Sequence, residues 1–284
     1  MLEWLDPRPG STVVDGTVGA AGHARAILEW LGAQGRLIGF DKDPLALEEA
    51  QKVLTHFGEK VMLINDDFRN LAVQLRQRQI HAVDGILLDL GVSSMQLDHP
   101  GRGFSFQAEG PLDMRMDPAQ ALTAKEIVNT YPKNRLQELL WKYGEERFAK
   151  RIAERVVDTR SKRRIETTKE LESIIYQAVP AFYRHGRIHP ATRSFQALRI
   201  AVNDEVKALQ ELLDQVIALL NSRGRLVIIS FHSLEDREVK TAFKRFSEEK
   251  KGRILTKKPV TPSQREIDEN PRSRSAKLRA FERL

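Results

Sequence analysis

Four apolar runs separated by helix-length stretches limit what the first part of this chain can fold into. They are Ser11-Thr-Val-Val-Asp15, Arg36-Leu-Ile-Gly-Phe-Asp41, Val61-Met-Leu-Ile-Asn65 and Val83-Asp-Gly-Ile-Leu-Leu-Asp-Leu90. Each has the length of a strand. Helical spacing lies between them, over Gly22 to Leu31 and from Asp43 to about Phe57. Asp43-Pro44 has the form of a helix N-cap followed by proline at the first helical position. This alternation is the signal of a βαβ sheet. The fourth run is apolar enough to be buried on both faces.

The rhythm then breaks. Residues 91–118 are rich in Gly, Pro, Ser and Asp, and a loop that long is usually functional or disordered. Phe104, Phe106, Leu112, Met114 and Met116 argue for order. From about Thr123 to Tyr183 the pattern is helical, opened by the capping-box sequence Thr123-Ala-Lys-Glu126. An all-helical stretch within an alternating chain reads as an insertion. Alternation resumes near Asn203, with a helix to about Leu220 and a fifth buried strand, Gly224 to Phe231. A helix from about Leu234 to Phe246 follows, then two closing strands, Ile254 to Lys258 and Ser275 to Glu282. Seven strands with a late pair differ from the six parallel strands of a nicotinamide-type Rossmann domain.

Composition narrows the function classes. The 284 residues contain no cysteine, which excludes disulfides, thiolate metal sites and a cysteine nucleophile, and fits a reducing compartment. No apolar run approaches bilayer length, and Met1 to Asp6 lacks the basic start and apolar stretch of a signal peptide, so a cytoplasmic protein without membrane contact is expected. The net charge of +7 suits a nucleic-acid binder, although a charged solvated surface reads alike.

Asp15-Gly16-Thr-Val-Gly19-Ala-Ala-Gly22-His23 joins a strand to a helix. Its spacing is G-x-x-G-x-x-G, not the dinucleotide G-x-G-x-x-G, and a carboxylate stands ahead of the glycines. Beside a pyrophosphate that charge repels. S-adenosyl-L-methionine has no phosphate and carries an ammonium and a sulfonium, so the acid is favourable. An ordinary tight βα turn remains the plain alternative. Asp41 ends the second strand, where an acid accepts hydrogen bonds from ribose hydroxyls. Asp67-Phe68 offers an acceptor and an aromatic face for an adenine, or simply a core phenylalanine. Asp89 ends the fourth strand. Four acids thus fall on the carboxyl rim of one sheet, where open α/β sheets bind ligands.

Seven longer motifs resemble one family. They are Asp15 to His23, Gly85-Ile-Leu-Leu-Asp-Leu-Gly-Val-Ser-Ser94, Arg102-Gly-Phe-Ser-Phe106, Gly110-Pro-Leu-Asp-Met-Arg-Met116, His189-Pro-Ala-Thr-Arg-Ser-Phe-Gln-Ala-Leu-Arg199, Ser230-Phe-His-Ser-Leu-Glu-Asp-Arg237 and Asn270-Pro-Arg-Ser-Arg-Ser-Ala-Lys-Leu-Arg279. In order, over nearly the whole chain, they are similar to the RsmH (MraW) family of bacterial methyltransferases. That resemblance implies N4-methylation of a cytidine in the decoding region of small-subunit rRNA, with 16S rRNA or the small ribosomal subunit as partner. It implies an α/β fold with the seven-stranded Rossmann-like sheet of class I methyltransferases. The methyltransferase domain is expected over 1–112 and 203–284, and an inserted helical substrate-binding domain over 113–202. The family's cofactor contacts would fall on Ala21, Gly22, His23, Asp41, Phe68, Asp89 and Gln96. Two departures stand out. The family usually begins with a His-x-Pro-Val-Leu segment and a helix leading into the equivalent of Leu5 to Gly10, whereas this chain begins within that helix. That earlier segment is expected to help close the site. Ala21 stands where the family often has glycine, which predicts φ < 0 there.

A cytosine amine is a poor nucleophile, so methylation needs in-line placement and an acceptor for the departing proton. Asp89, or an acceptor in Ser230 to Asp236 such as Ser230 or His232, is the candidate catalytic group, with Phe231 or His232 holding the base. Asp89 touching only the cofactor is the alternative. No second histidine lies at ligand spacing from His232, so no metal is expected. Arg187, His189, Arg193 and Arg199 are the expected RNA contacts, with His185 beside them. A further basic run, Arg147 to Arg164, is interspersed with acids and reads equally as a solvated helix face. A methyltransferase of the same fold on DNA or another RNA, and a catalytically silent RNA-binding assembly factor, are the competing readings.

Overall fold

The computed structural model describes residues 1–284. The strands are β1 (Thr12–Asp15), β2 (Arg36–Asp41), β3 (Val61–Asn65), β4 (Val83–Asp89), β5 (Leu220–Ser230), β6 (Gly252–Ile254) and β7 (Lys277–Arg283). The helices of eight residues or fewer are α1 (Leu2–Leu5), α4 (Leu71–Gln77), α5 (Ser94–Asp98), α6 (Ala124–Thr130), α10 (Ala181–Arg184) and α14 (Gln264–Glu269). The longer ones are α2 (Gly22–Leu31), α3 (Pro44–Leu54), α7 (Lys133–Gly144), α8 (Ala149–Arg160), α9 (Thr168–Ala178), α11 (Thr192–Asn203), α12 (Glu205–Gln215) and α13 (Ser233–Glu248).

The seven strands form one sheet in the order β3-β2-β1-β4-β5-β7-β6. The first five are parallel, and β7 runs antiparallel between β5 and β6. The chain starts at β1, builds outward through β2 and β3, then returns to β4 and builds the other way. The loops after β1 and β4 therefore leave the sheet at its switch point, where ligands of open α/β sheets bind. Strand periodicity sorts the core into two layers. Val13, Leu87, Val227 and Ile229 pack on one face with Ala24, Ile27, Leu28 and Leu31 of α2. Val14, Ile86, Leu88, Leu226 and Ile228 pack on the other with Leu209, Leu212, Val239 and Phe243. This is the seven-stranded Rossmann-like sheet expected from the sequence.

Several element ends differ from expectation. The Asp43 carboxylate accepts the Leu45 N–H at 3.2 Å, as an N-cap should, but α3 stops at Leu54. A tighter 3-10 turn follows, broken at Gly58, whose φ is +58°. β5 begins at Leu220, not Gly224, because Leu220 pairs with Val83 across an irregularity in the ladder. β6 is three residues long and ends at Ile254, the first residue of the run that was expected to form it.

Contacts cluster into two units, Met1–Gly91 with Val206–Leu284, and Val92–Glu205. The boundary expected between 112 and 113 thus falls between Gly91 and Val92. The reason is packing: Phe104, Leu112, Met114 and Met116 are buried in the core of the helical unit with Ile127, Leu140, Ile152 and Leu198. Polar ties hold this irregular segment in place. Arg102 donates to the carbonyls of Arg115 (2.9 Å) and Met116 (3.0 Å). The buried Asn203 amide accepts the Met116 N–H and donates to the Met114 carbonyl, both at 2.8 Å. Gly103 has φ +71°, and a Cβ there would stand 2.1 Å from the Pro111 carbonyl oxygen. No helix is long and apolar enough to cross a membrane.

Candidate active site

The loop after β1 is bolted to the strands on both sides of the switch point. Gly16 N–H donates to the Leu87 carbonyl and Val18 N–H to the Phe40 carbonyl, each at 2.8 Å. Thr17 Oγ1 accepts the Asp89 N–H at 2.6 Å, and the Gly19 N–H reaches the Asp41 carboxylate at 2.9 Å. Gly16 presses against β4, where a Cβ would meet Leu88 Cδ2 at 2.4 Å. Gly19 has φ +49°. Ala21 also lies in the left-handed region, at φ +64° and ψ 20°, which overturns the expectation of negative φ. Its methyl is fully buried in the core layer under α2. Burial of that methyl, worth about 0.8 kcal/mol, offsets part of a backbone cost of about 1–2 kcal/mol.

α2 then starts without any side-chain cap. Its first N–H groups are left for an anion, which the helix dipole also favours. A Cβ at Gly22 would touch nothing within 4 Å, so this side of the turn is open.

Carboxylates surround the turn. Asp15 is buried; one oxygen accepts the Thr17 N–H at 3.1 Å and the other, Oδ2, has no hydrogen-bond partner. Burial pushes its carboxyl up to about 7, with the charges of Asp89 and Asp41 adding to the effect and His23 and the Thr17 N–H opposing it. Asp89 Oδ1 is likewise buried without a partner, and Oδ2 lies 3.5 Å from His23 Nε2. The Asp89 carboxylate holds the His23 imidazole above its ordinary range. The orphaned Asp15 oxygen and the uncapped helix start together demand cationic and anionic partners side by side. An amino-acid zwitterion supplies both, so these residues fit the α-amino and carboxylate ends of S-adenosyl-L-methionine.

Asp41 has a task invisible in the sequence. Its two oxygens accept the N–H groups of Gly19 and Asp43, both at 2.9 Å, which latches the glycine turn to β2. Burial pushes its carboxyl up to about 6. Each oxygen keeps one lone pair for a ribose hydroxyl. Asp67 departs further from expectation. It caps the turn at Phe68 through the Arg69 N–H (3.0 Å) and pairs with Lys42 and Arg69, each at 3.4 Å. A carboxylate so neutralised is a structural member of the rim. Phe68 is half-buried against the Gly16 backbone, 3.5 Å from where a Cβ would stand.

At the end of β5, Ser230 is buried and its hydroxyl donates to the Lys277 carbonyl at 3.3 Å. His232 is a helix cap and not an exposed proton carrier. Its Nδ1 accepts the Glu235 N–H at 3.4 Å, while the Glu235 carboxylate accepts the Phe231 N–H at 2.9 Å. His232 Nε2 lies 3.1 Å from that carboxylate without hydrogen-bond alignment, and the ring is almost fully enclosed. Phe231 is partly buried against the core layer of β1 and α2. Thr17 and Glu235 were missed as site builders: their roles depend on partners brought in by the fold.

The helical unit sorts its own candidates. Gln96 is buried and closes the capping box of α5, its Oε1 accepting the Ser93 N–H at 3.0 Å. His189 is pinned: Nδ1 accepts the Ala191 N–H (3.2 Å), Nε2 lies 3.3 Å from Glu172, and the ring stacks on Phe106 at 4.7 Å. Arg193 donates to the Glu145 carbonyl at 3.0 Å. Arg199 makes a two-point pair with Glu205 at 2.8 and 2.7 Å. Of the four expected RNA contacts, Arg187 is the one left exposed and without an ion pair. In the neighbouring basic run, Arg160 is structural, bonded to the carbonyls of Val128 and Tyr131.

Comparison with known proteins adds the chemistry of relatives. The model of the MraW methylase family matches residues 1–284. A ribosomal RNA small subunit methyltransferase H of Sulfurihydrogenibium sp. (strain YO3AOP1) is 50% identical, covering 100% of this chain and 96% of that one. The protein of the same name from Heliobacterium mobile is 48% identical with the same coverage. Among solved structures, an rRNA methylase from Streptococcus thermophilus aligns over 99% of this chain and 90% of its own, at 12% identity and a TM-score of 0.46.

Proposed function

Because the chain belongs to the MraW methylase family, and is thus an S-adenosyl-L-methionine-dependent methyltransferase, we propose that it methylates small-subunit ribosomal RNA at the exocyclic N4 amine of a cytidine in the decoding region. The RNA assignment is supported by relatives of about half identity named as small-subunit rRNA methyltransferases, and by the net charge of +7. The cofactor supplies a methyl group made electrophilic by its sulfonium.

The chain's own residues bind, orient and take up a proton. The uncapped start of α2, at Gly22 and His23, holds the carboxylate end of the cofactor, and the free Asp15 oxygen holds its cationic end. Asp41 serves the ribose and Phe68 the adenine face. In the transfer, the N4–CH3 bond forms as the S–CH3 bond breaks, and the amine must lose a proton. Asp89 is the acceptor in this reading. The observation that carries it is the buried Asp89 Oδ1 with no partner, on a residue whose backbone is locked to the cofactor turn through Thr17. His23 Nε2 stands 3.5 Å from the other Asp89 oxygen.

The test is labelled-methyl transfer to small ribosomal subunits that lack the modification, followed by nucleoside analysis. Label in N4-methylcytidine at one decoding-region position is the expected result. Label only in another nucleic acid, or binding of RNA with no transfer, refutes the assignment.

A further inference from the structure

The helical unit carries an exposed aromatic ring that its own fold does not explain. Phe182 on α10 is 70% exposed, the largest value among the big apolar side chains. The backbone beneath it is held firmly from both sides. Tyr183, the next residue, donates its hydroxyl to the fully buried Glu146 at 2.9 Å, and its ring packs edge-on to Phe148. Arg184 donates to the carbonyls of Val179 (3.1 Å) and Gln177 (3.2 Å), with its guanidinium over the Tyr176 ring. The Phe182 ring meets Phe148 tilted by 64°, with centroids 6.1 Å apart, so the ring has a lateral support while most of its surface faces water.

Among the exposed charged residues of 145–151 and 182–187, Glu145 is the one acid. Arg147 directly precedes Phe148 and acts electrostatically on Tyr183. Lys150 and Arg151 stand in the first turn of α8, just past Arg147 and Phe148. His185 and Arg187 follow Phe182 on the next loop, and Arg147, Lys150, Arg151, His185 and Arg187 are all exposed. Arg147, Lys150, Arg151 and Arg187 carry no ion pair, whereas Lys133, Arg163 and Arg164 elsewhere in the unit are paired with glutamates. The nearby acids are engaged: Glu146 lies under Tyr183 and Glu154 pairs with Lys133.

We infer that Phe182, among Arg147, Lys150, Arg151, His185 and Arg187, is a stacking platform for a base of unpaired RNA. A protein partner would need an acidic side chain opposite each of these cations, since a cation covered without one is desolvated and unpaired. A polyanion with exposed ring faces matches both features: phosphates meet the cations and a base covers the ring. The pinned backbone means that little conformational freedom is lost on binding. The inference rests on the RNA-substrate reading and adds a specific contact to it.

The experiment uses the full chain and two probes, a fluorescein-labelled single-stranded RNA of mixed sequence and the same RNA annealed to its complement. Anisotropy gives the affinities. Phe182→Ala is expected to weaken single-strand binding by about 10- to 100-fold, the range of one base stack, and duplex binding far less. Phe182→Trp retains the affinity, and the added indole emission is quenched by the single strand relative to the wild-type background. Arg147→Gln with Arg151→Gln lowers the salt slope by about one to two. Undiminished cofactor binding shows that each variant is folded. Equal loss of single-strand and duplex binding in Phe182→Ala, or unquenched indole, overturns the platform. Wild-type RNA affinity in Phe182→Ala with loss of binding only to protein-containing particles assigns the patch to a protein and also overturns it. If the wild type binds neither probe, the RNA reading falls together with the inference; if only the Phe182 variants behave as wild type, the inference alone falls.

Discussion

Asp15→Asn should separate the two demands made on the cofactor turn. The Asp15 carboxyl is pushed up to about 7 in the fold from an ordinary 3.8, mainly by burial. The folded state therefore binds this proton more tightly than the unfolded chain, and stability is lost as pH rises. The loss begins near the unfolded value, about 4, and is complete just above about 7. Three pKa units at 1.36 kcal/mol each make it about 4 kcal/mol for the ligand-free chain. Asparagine keeps an oxygen for the Thr17 N–H and has no charge to desolvate. The variant should then match the wild type near pH 4 and exceed it by roughly 4 kcal/mol near pH 8. Guanidinium denaturation of both ligand-free proteins across that window reads the difference. Cofactor binding reverses the preference, because a cation beside Oδ2 favours the carboxylate. Below pH 7, binding should release about one proton and tighten about tenfold per pH unit. Calorimetry in two buffers of different ionisation enthalpy counts that proton. Asp15→Asn should abolish its release and weaken the cofactor even at pH 8. Parallel stability curves for wild type and variant, or proton release that persists in the variant, refute the reasoning.

Asp89→Asn should lower kcat about 100-fold or more while cofactor affinity, followed by calorimetry, changes only a few-fold; unchanged turnover removes Asp89 from proton transfer. Asn203→Ala strands the Met116 N–H and the Met114 carbonyl in the core of the helical unit, and should cost about 2–4 kcal/mol in a denaturant titration. Gly103→Ala adds a Cβ against the Pro111 carbonyl at positive φ, and should destabilise by at least about 3 kcal/mol, so a thermal midpoint within a degree or two of wild type would contradict the packing described.

The parts legible in the sequence were those set by local periodicity. β1 to β4 are short apolar runs ended by an acid or asparagine, and α2 and α3 carry helical spacing, so their positions needed no tertiary information. The glycine turn was legible as a ligand loop because its residues are contiguous. Its anchoring was not, because Thr17 works through Asp89 and Asp41 works through Gly19, partners far apart in the chain. The same distance hid the ties of His189 to Phe106 and of Arg193 to Glu145, which hold two of the expected RNA contacts in place within the helical unit. Ala21 could not be read correctly either: local preference says negative φ, and the packing of its methyl under α2 overrides it. The boundary at Gly91 was missed because residues 92–112 have no periodicity to reveal which core claims their phenylalanine and leucine.

The insertion point has a consequence for the order in which the molecule assembles. β4 and β5 are hydrogen-bonded neighbours, yet the entire helical unit is strung between them. Pairing them across an unstructured connection of ~130 residues would cost about 4 kcal/mol of chain entropy. Within the helical unit α7, α8 and α9 pack in chain order, so they can form early and shorten that connection before β5 must find its place. During synthesis β1 to β4 emerge first and wait, with one edge of β4 open, until the helices have formed behind them. A lesion such as Gly103→Ala would then act twice: once on the unit that contains it, and again by lengthening the time that edge stays unpaired and able to join another chain.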